Sequence, residues 1–575
     1  MNYPLYEAEN EITLLLKNIL AKLNYDCEVK LEIPPENMGD FAFPCFSLSP
    51  IAKKSPKVIA KDISEKIEKG KWVSRIDVSG GYVNFYISGK HLAYATLNSI
   101  LEMKEEYGCL QKNNKKVIIE HTSANPNGPL HVGRARNPII GDTLVRIFRA
   151  AGYDVESQFY LDDLGKQVAI LTWGINNIKP KDITSPKYDK PDHRNVGFYQ
   201  VANKLMGEDE TVVKEIEEIV RKSEYGDSKT MTLVRDAYKL VLEGINESLD
   251  HINIHIDKYI PESKFVKDKS VEKVISNLKK TRYCHEKDGA LYLDLESFGV
   301  HGRNKNFFFL RSDGTSLYAT RDIAYHQWKA KYADMLINVL GEDHKLEARQ
   351  IEIALQLQGE KILPKPVFYA FVSMSGGKMS TRQGRVVYLD QLIDECVERA
   401  YNEVSKRRGK ELSEKKMKDI SEMIGIGSLR YNIIKVQPEK DIVFKWEEAL
   451  NFEGNSAPFI QYAHARACSI MSKKENRVED VSFFMLKHDS ELQLIKKLAK
   501  FPLVIDEACN GCSPHVITTY LYKVASQFNR FYRDCPVLSE ENLELRKERL
   551  ALVDSARIVI RNGLDLLGIV APEEM

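Results

Sequence analysis

The sequence predicts an α/β fold, with a parallel sheet in the middle of the chain, an α+β segment before it and an all-helical segment after it. Three observations carry this. From 117 to 160 a strand, a loop and a helix lead into a second strand, which is a βαβ unit. Strand patterns return at 335–340 and 367–372, completing an interrupted sheet, and from about residue 395 the apolar spacing is almost entirely helical.

The first segment, 1–110, mixes both periods. Ile12, Leu15, Leu16, Ile19, Leu20 and Leu23 recur at helical spacing, and GYVNFYI (81–87) alternates as a strand. The polar stretch QKNNKK (111–116) marks a boundary. The central domain is expected over 115–395. It opens with the strand VIIE (117–120), a Pro/Gly/Asn-rich loop, and a helix that shows Ile140, Leu144, Ile147, Phe148 and Ala151 on one face and stops at Gly152. The next strand is 155–160. Residues 180–300 read as an insertion of charged helices with a short β-rich stretch at 290–295. A helical connection, 396–454, leads to a helical domain over 455–575.

Bulk properties exclude several classes. The 575 residues are 43% hydrophobic and 29% charged, as in ordinary globular proteins. No apolar run reaches membrane-spanning length and the start lacks a signal-peptide core, so a cytoplasmic location is expected. Net charge is +1, and residues 455–575 hold sixteen Lys/Arg against sixteen Asp/Glu, so a polyanion would have to meet a local basic face. Nine cysteines cannot all pair internally. Cys509 and Cys512 form one CxxC without a second ligand pair, so no structural metal is expected.

Two loops carry chemistry. The first reads His121-Thr-Ser-Ala-Asn125-Pro-Asn-Gly-Pro129-Leu-His131-Val-Gly133-Arg134. Its small residues let a ligand approach the backbone, and His131 and Arg134 sit where a helix N-terminus offers N–H groups to phosphate. A plain strand-to-helix loop with surface His and Arg is an equal reading of these residues alone. The second is Ser375-Gly-Gly377-Lys378-Met379-Ser380-Thr381-Arg382-Gln-Gly384, whose glycines and cations suit closure over a triphosphate, or else a basic surface loop.

The pair, 247 residues apart (378 − 131), resembles the His-x-Gly-His and Lys-Met-Ser-Lys-Ser signatures of class I aminoacyl-tRNA synthetases. SANPNGPLHVG, SLYATRDIAYH (316–326) and GGKMSTRQG resemble the arginyl-tRNA synthetase family in particular, as do GDFAF (39–43), QYAHARA (461–467) and the ending GLDLLGIVAPEEM. The likeness implies a Rossmann-type catalytic domain, an N-terminal domain that contacts tRNA and a helical anticodon-binding domain. It implies ATP-dependent activation of arginine and its transfer to tRNA-Arg by a monomer, with Mg²⁺ accompanying the nucleotide. In two places the chain departs from the class pattern: Arg134 replaces the final His of the first signature, and Thr381-Arg382 replaces Lys-Ser in the second. Arg134 keeps a phosphate donor that is charged at all pH values.

By the same resemblance Pro129, His131, Gly133, Arg134, Lys378, Met379 and Ser380 bind ATP, with His131, Arg134 and Lys378 catalytic. Asn125, Gln167, Tyr318, Asp322 and His326 are expected around arginine. Tyr318 and Asp322, four apart, share a helix face, and a carboxylate suits a planar guanidinium better than an ammonium. Asp163, Asp343 and His344 are further candidates for the wall. For tRNA the candidates are Tyr82, Asn84, Gln461, Tyr462 and Arg466, while the aromatics Tyr520, Tyr522, Phe528, Phe531 and Tyr532 are expected mostly in the core. Two helix starts after the first signature stay open: His131, or Asn137 as cap with Pro138 first. The competing functions are another class I specificity and a non-catalytic tRNA-binding paralogue.

Overall fold

The computed structural model describes residues 3–35, 38–125, 127–374, 377–378, 381–382, 385–473 and 481–575. For Arg303, Met374 and the described residues among 377–386 only the backbone is described.

The centre is a five-stranded parallel sheet: β1 (Lys116–Glu120), β2 (Asp154–Leu161), β3 (Lys258–Pro261), β4 (Met335–Gly341) and β5 (Pro364–Tyr369), in spatial order β5-β4-β1-β2-β3. β1 is central, and Val117, Ile118 and Ile119 are at most 1% exposed, which explains an apolar run without alternation. Helices α1 (Arg136–Ala150), α2 (Lys166–Asn177) and α3 (Tyr318–Lys329) cross between strands. The order reverses between β1 and β4, so a crevice opens there at the carboxyl ends of the strands.

The expected strands are all present with ends moved by one to three residues; the one read at 367–372 runs 364–369, and Val372 opens a separate short strand. Two expectations change. β3 lies inside the range read as an insertion, so 180–300 is not one continuous excursion; its short pattern, KYIP, pairs with β2 and forms the sheet edge. The rest of that range supplies helices at Pro191–Met206, Glu210–Glu224 and Ser228–His251, and an antiparallel sheet of 284–287, 290–294 and 306–310. The helix start is also settled. Val132–Arg134 is a 3-10 turn and α1 begins at Arg136, which puts Pro138 third, where a helix N–H has no internal acceptor.

Before the sheet lies an α+β unit of three antiparallel strands (order 41–44, 82–87, 73–79) with helices packed on it. After it, α4 (Leu389–Arg408) and α5 (Glu414–Ile434) lead to five helices between Ala457 and Leu566. A buried ion pair ties α5 to the centre and, through a backbone carbonyl, to the C-terminal segment. Arg430 of α5 is fully buried, reaches Asp142 of α1 at 2.5 Å, and donates to the carbonyls of Leu567 and Ile252.

Candidate active site at the strand ends

Every strand of the parallel sheet sends residues into one cavity of about 690 Å³. Ser123 and Asn125 follow β1, Asp162 follows β2, Glu262 follows β3, Asp343 and His344 follow β4, and Phe368 and Tyr369 end β5. From the helices come Gly133, Arg134, Asn137, Gln167, Tyr318, Asp322 and His326. Such convergence follows from parallel topology, which places all the carboxyl ends on one side.

The first signature loop is held from both sides. Thr122 sits at φ 68°, unfavourable for a β-branched residue, and its N–H donates to Asn137 Oδ1 at 2.7 Å. Asn137 Nδ2 donates in turn to the Val339 carbonyl of β4, so one amide pins the loop across the switch point. His131 Nδ1 accepts from the Gly133 N–H at 3.0 Å. The N–H of Val132 bonds to Val387, and that of Leu389 to Leu130, so the first signature is laced to the segment leaving the second. Arg134 is exposed and donates to the Ser123 carbonyl at 3.2 Å. Pro129 is buried beneath the loop, and neighbouring Gly128 packs where a Cβ would meet Val196 at 2.6 Å. Met379, Ser380 and the side chain of Lys378 lie outside the described residues; the Lys378 backbone pairs with Ser373.

The opposite wall is acidic. Tyr318 opens α3, and its hydroxyl lies where a Cβ on Gly165 would come within 2.5 Å. One turn on, burial would raise the Asp322 carboxyl, but the electrostatic attraction and the hydrogen bond of His326, followed by the charges of Lys329 and His344, hold it below the usual carboxylate range. Glu262 is buried and pushed well above the ordinary value by desolvation, partly offset by Arg321, whose Nε is 3.1 Å away. Asp162 is raised to about 6, also by burial. Glu262 Oε2, Asp162 Oδ1 and the Tyr160 hydroxyl are buried with no donor side chain or backbone N–H on them among the described residues, and the Asp162 and Glu262 carboxyls interact with each other. Asn125 and Asn127 both donate to Gln167 Oε1, at 2.7 and 2.9 Å.

Sequence reasoning missed Glu262, Asp162 and Asn137. An acid directly after the strand β2 was the available signal for Asp162, whereas Glu262 follows a strand too short to be read from the sequence. Asp163, named instead, turns away and binds the N–H and hydroxyl of Ser263, so it is withdrawn from the cavity wall. Asp343 and His344 do line the cavity.

The nucleic-acid candidates divide. Asn84 is 4% exposed, inside the N-terminal sheet, and Gln461 is fully buried, donating to the Met423 and Val570 carbonyls. Neither side chain is open to RNA, because each completes internal packing. Tyr82 packs edge-on against exposed Phe46. Tyr462 is exposed, and the Arg466 guanidinium stacks between its ring and that of Tyr532. Tyr520, Phe528 and Phe531 are core, as expected, whereas Tyr532 is exposed.

Cys509 and Cys512 are buried free thiols. Asp192, His193 and Asp390 gather closely enough for a metal, but Lys190 Nζ is 2.8 Å from Asp390, so the group forms an ion cluster joining the inserted helix 191–206 to α4.

Comparison with known proteins agrees with this geometry. Residues 96–446 match the family described as tRNA synthetases class I (R), catalytic domain. Residues 10–87 match the arginyl tRNA synthetase N terminal domain, and 460–575 the DALR anticodon binding domain. An arginine–tRNA ligase of Methanocella arvoryzae is 47% identical, covering 98% of each chain. The arginyl-tRNA synthetase of Thermus thermophilus superposes with TM-score 0.83 at 27% identity, covering 98% of this chain and 100% of its own. That of Plasmodium falciparum, at 20% identity and TM-score 0.80, covers 98% and 99% and shares the fold.

Proposed function

The chain belongs to the class I arginyl-tRNA synthetase family, and from that premise we propose how its cavity joins arginine to tRNA-Arg. The arginine carboxylate attacks the α-phosphate of ATP, forming arginyl-adenylate and releasing pyrophosphate. A ribose hydroxyl of the terminal adenosine of tRNA-Arg then attacks the arginyl carbonyl, and AMP leaves. Neither step needs a protein nucleophile, so positioning and charge stabilisation carry the catalysis.

The observation that carries the reading is the acidic wall. Asp322, Glu262 and Asp162 line one cavity, and unmatched acceptors on the last two suit a planar, multiply donating cation. Arginine's guanidinium lies against Asp322 and Tyr318, with His326 behind the carboxylate, and its α-amino end meets Asn125 and Gln167. Pro129, His131, Gly133 and Arg134 hold the nucleotide, joined by Lys378, Met379 and Ser380, with Lys378 answering the charge on the departing pyrophosphate. Asp343, an exposed carboxylate on the wall, offers the hard oxygen donor that would hold a hydrated Mg²⁺ brought with the nucleotide, and the ion would supply charge neutralisation. Tyr82 on the N-terminal unit and the Tyr462–Arg466 stack on the C-terminal one serve as tRNA contacts. Residues 1–110 form the domain that meets the body of the tRNA, 115–395 the catalytic domain, 396–454 a connection and 455–575 the anticodon-binding domain. No described helix is long and apolar enough to cross a membrane. The reading places the protein in the cytoplasm as a monomer.

Arginine-dependent exchange of pyrophosphate into ATP, with and without tRNA, is the test. Exchange that prefers arginine to lysine and collapses in Asp322→Ala supports the reading. Exchange with another amino acid overturns the specificity, and tRNA binding without any exchange overturns the enzyme.

A further inference from the structure

Behind Asp322 lies a buried chain of polar groups whose partners assign each proton. His326 Nδ1 is 2.8 Å from the Asp322 carbonyl oxygen and 3.1 Å from Asp322 Oδ1. Both are acceptors, so Nδ1 carries hydrogen. On the other side, His326 Nε2 faces Asn338 Nδ2 at 2.7 Å and Lys329 Nζ at 3.4 Å. The amide orientation is set by Lys329, which can only donate and lies 3.2 Å from Asn338 Oδ1. The Asn338 amide nitrogen therefore points at the ring, and Nε2 accepts. Lys329 is itself satisfied by Glu120 Oε2 at 2.5 Å and lies over the Tyr325 ring. Asn338 and Glu120 are register partners on β4 and β1, so the rigid centre of the sheet fixes the arrangement.

We propose that Asn338 and Lys329 are specificity-determining positioning residues: by presenting two donors to His326 Nε2, they keep the imidazole a neutral, one-proton donor to Asp322, whose negative charge is thereby reserved for the substrate's guanidinium. This rests on the placement of that guanidinium at Asp322. The groups facing His326 are Asp322, Tyr325 and Lys329 from its own helix, Glu120 from β1 and Asn338 from β4, with His344 acting on Asp322 from the loop after β4. Glu120 and Lys329 pair with each other at 2.5 Å, so Asp322 feels Lys329 and His344 only at longer range. An imidazolium at 326 would pair with Asp322 internally and weaken its hold on a cationic substrate. A neutral imidazole orients the carboxylate by a hydrogen bond and leaves its charge intact.

Asn338→Asp keeps the size but turns an acceptor toward Nε2, inviting a second proton onto the ring. In full-length protein labelled with ¹⁵N-histidine, wild-type Nε2 should give the resonance of an unprotonated nitrogen at neutral pH. In N338D that nitrogen should become protonated. Its arginine KM in pyrophosphate exchange should rise roughly tenfold with kcat within about twofold, and should fall again toward pH 9. Adding His326→Asn, which cannot take a second proton, should bring the KM of N338D down to that of H326N alone. A wild-type Nε2 protonated at neutral pH, or an N338D arginine KM equal to wild type at every pH, overturns the inference. Asp322→Asn separates the two layers. An unchanged arginine KM there means that the guanidinium lies elsewhere, whereas a raised KM with N338D unaffected refutes the positioning role alone.

Discussion

At the scale of single residues, two positions concentrate the physics. Gly165 has φ +89°, and a Cβ there would come within 2.5 Å of the Tyr318 hydroxyl. Gly165→Ala therefore strains the backbone and displaces a wall of the arginine pocket. Steady-state exchange should show arginine KM raised about tenfold and ATP KM nearly unchanged. His121 is the second. It is fully buried against Gly141, its Nε2 has no partner among the described residues, and desolvation lowers its pKa to about 4. The folded state thus refuses a proton that the unfolded chain accepts below its ordinary value near 6.5. The stability contribution is present above that value and is lost progressively as pH falls toward 4, by about 3 kcal/mol in all. Urea midpoints of wild type should drop more steeply between pH 6.5 and 4 than those of His121→Asn.

At the scale of elements, the active-site loops are held less by their own sequences than by side chains of α1. Asn137 fixes Thr122 on one side and β4 on the other. Arg136, fully buried, donates to the carbonyls of Ala370, Lys440 and Gln437, tying the exit of β5 to the chain beyond α5. Asn137→Ala leaves the Thr122 N–H unanswered and frees the loop. We expect a 10- to 100-fold fall in kcat/KM for both arginine and ATP, with the melting temperature lowered by only a few degrees. A loss confined to stability, with kcat/KM intact, would show that the clamp is not needed for catalysis.

At the scale of the whole molecule, the C-terminal helices join the centre through Arg430 and Asp142. Burial opposes the charge on Asp142, but Arg430 and Arg146 more than compensate and hold its carboxyl below the ordinary range. Its contribution is therefore complete above the ordinary carboxyl pKa, near 4, and disappears as pH falls through the lower folded value. Arg430→Met should cost about 3–5 kcal/mol, because it strands a buried carboxylate, and should split thermal unfolding into two transitions if docking of the two parts depends on this pair. Single-transition unfolding at the wild-type temperature would rule that dependence out.

How far each of these was legible follows from the range of the interactions involved. Apolar periodicity and two loop motifs pointed to the α/β class, the strands β1, β2, β4 and β5, and His131 and Arg134, because those signals are local in the chain, whereas Tyr318 and Asp322 were legible only through the family resemblance of the segment 316–326. Strand β3 was hidden, since four residues ending in proline carry too little pattern to stand out among charged helices. Whether Asn84 and Gln461 face solvent, and whether Asp162 or Asp163 faces the cavity, depends on a half-turn of backbone that composition does not encode. Glu262, Asn137 and Asn338 lie far apart in sequence and become one site only when the strand order β5-β4-β1-β2-β3 brings the carboxyl ends of the strands together. Motifs of contiguous residues were thus set by the sequence itself. The proton and charge arrangement around Asp322 was decided by tertiary structure, because burial and long-range partners exist only after the sheet has closed.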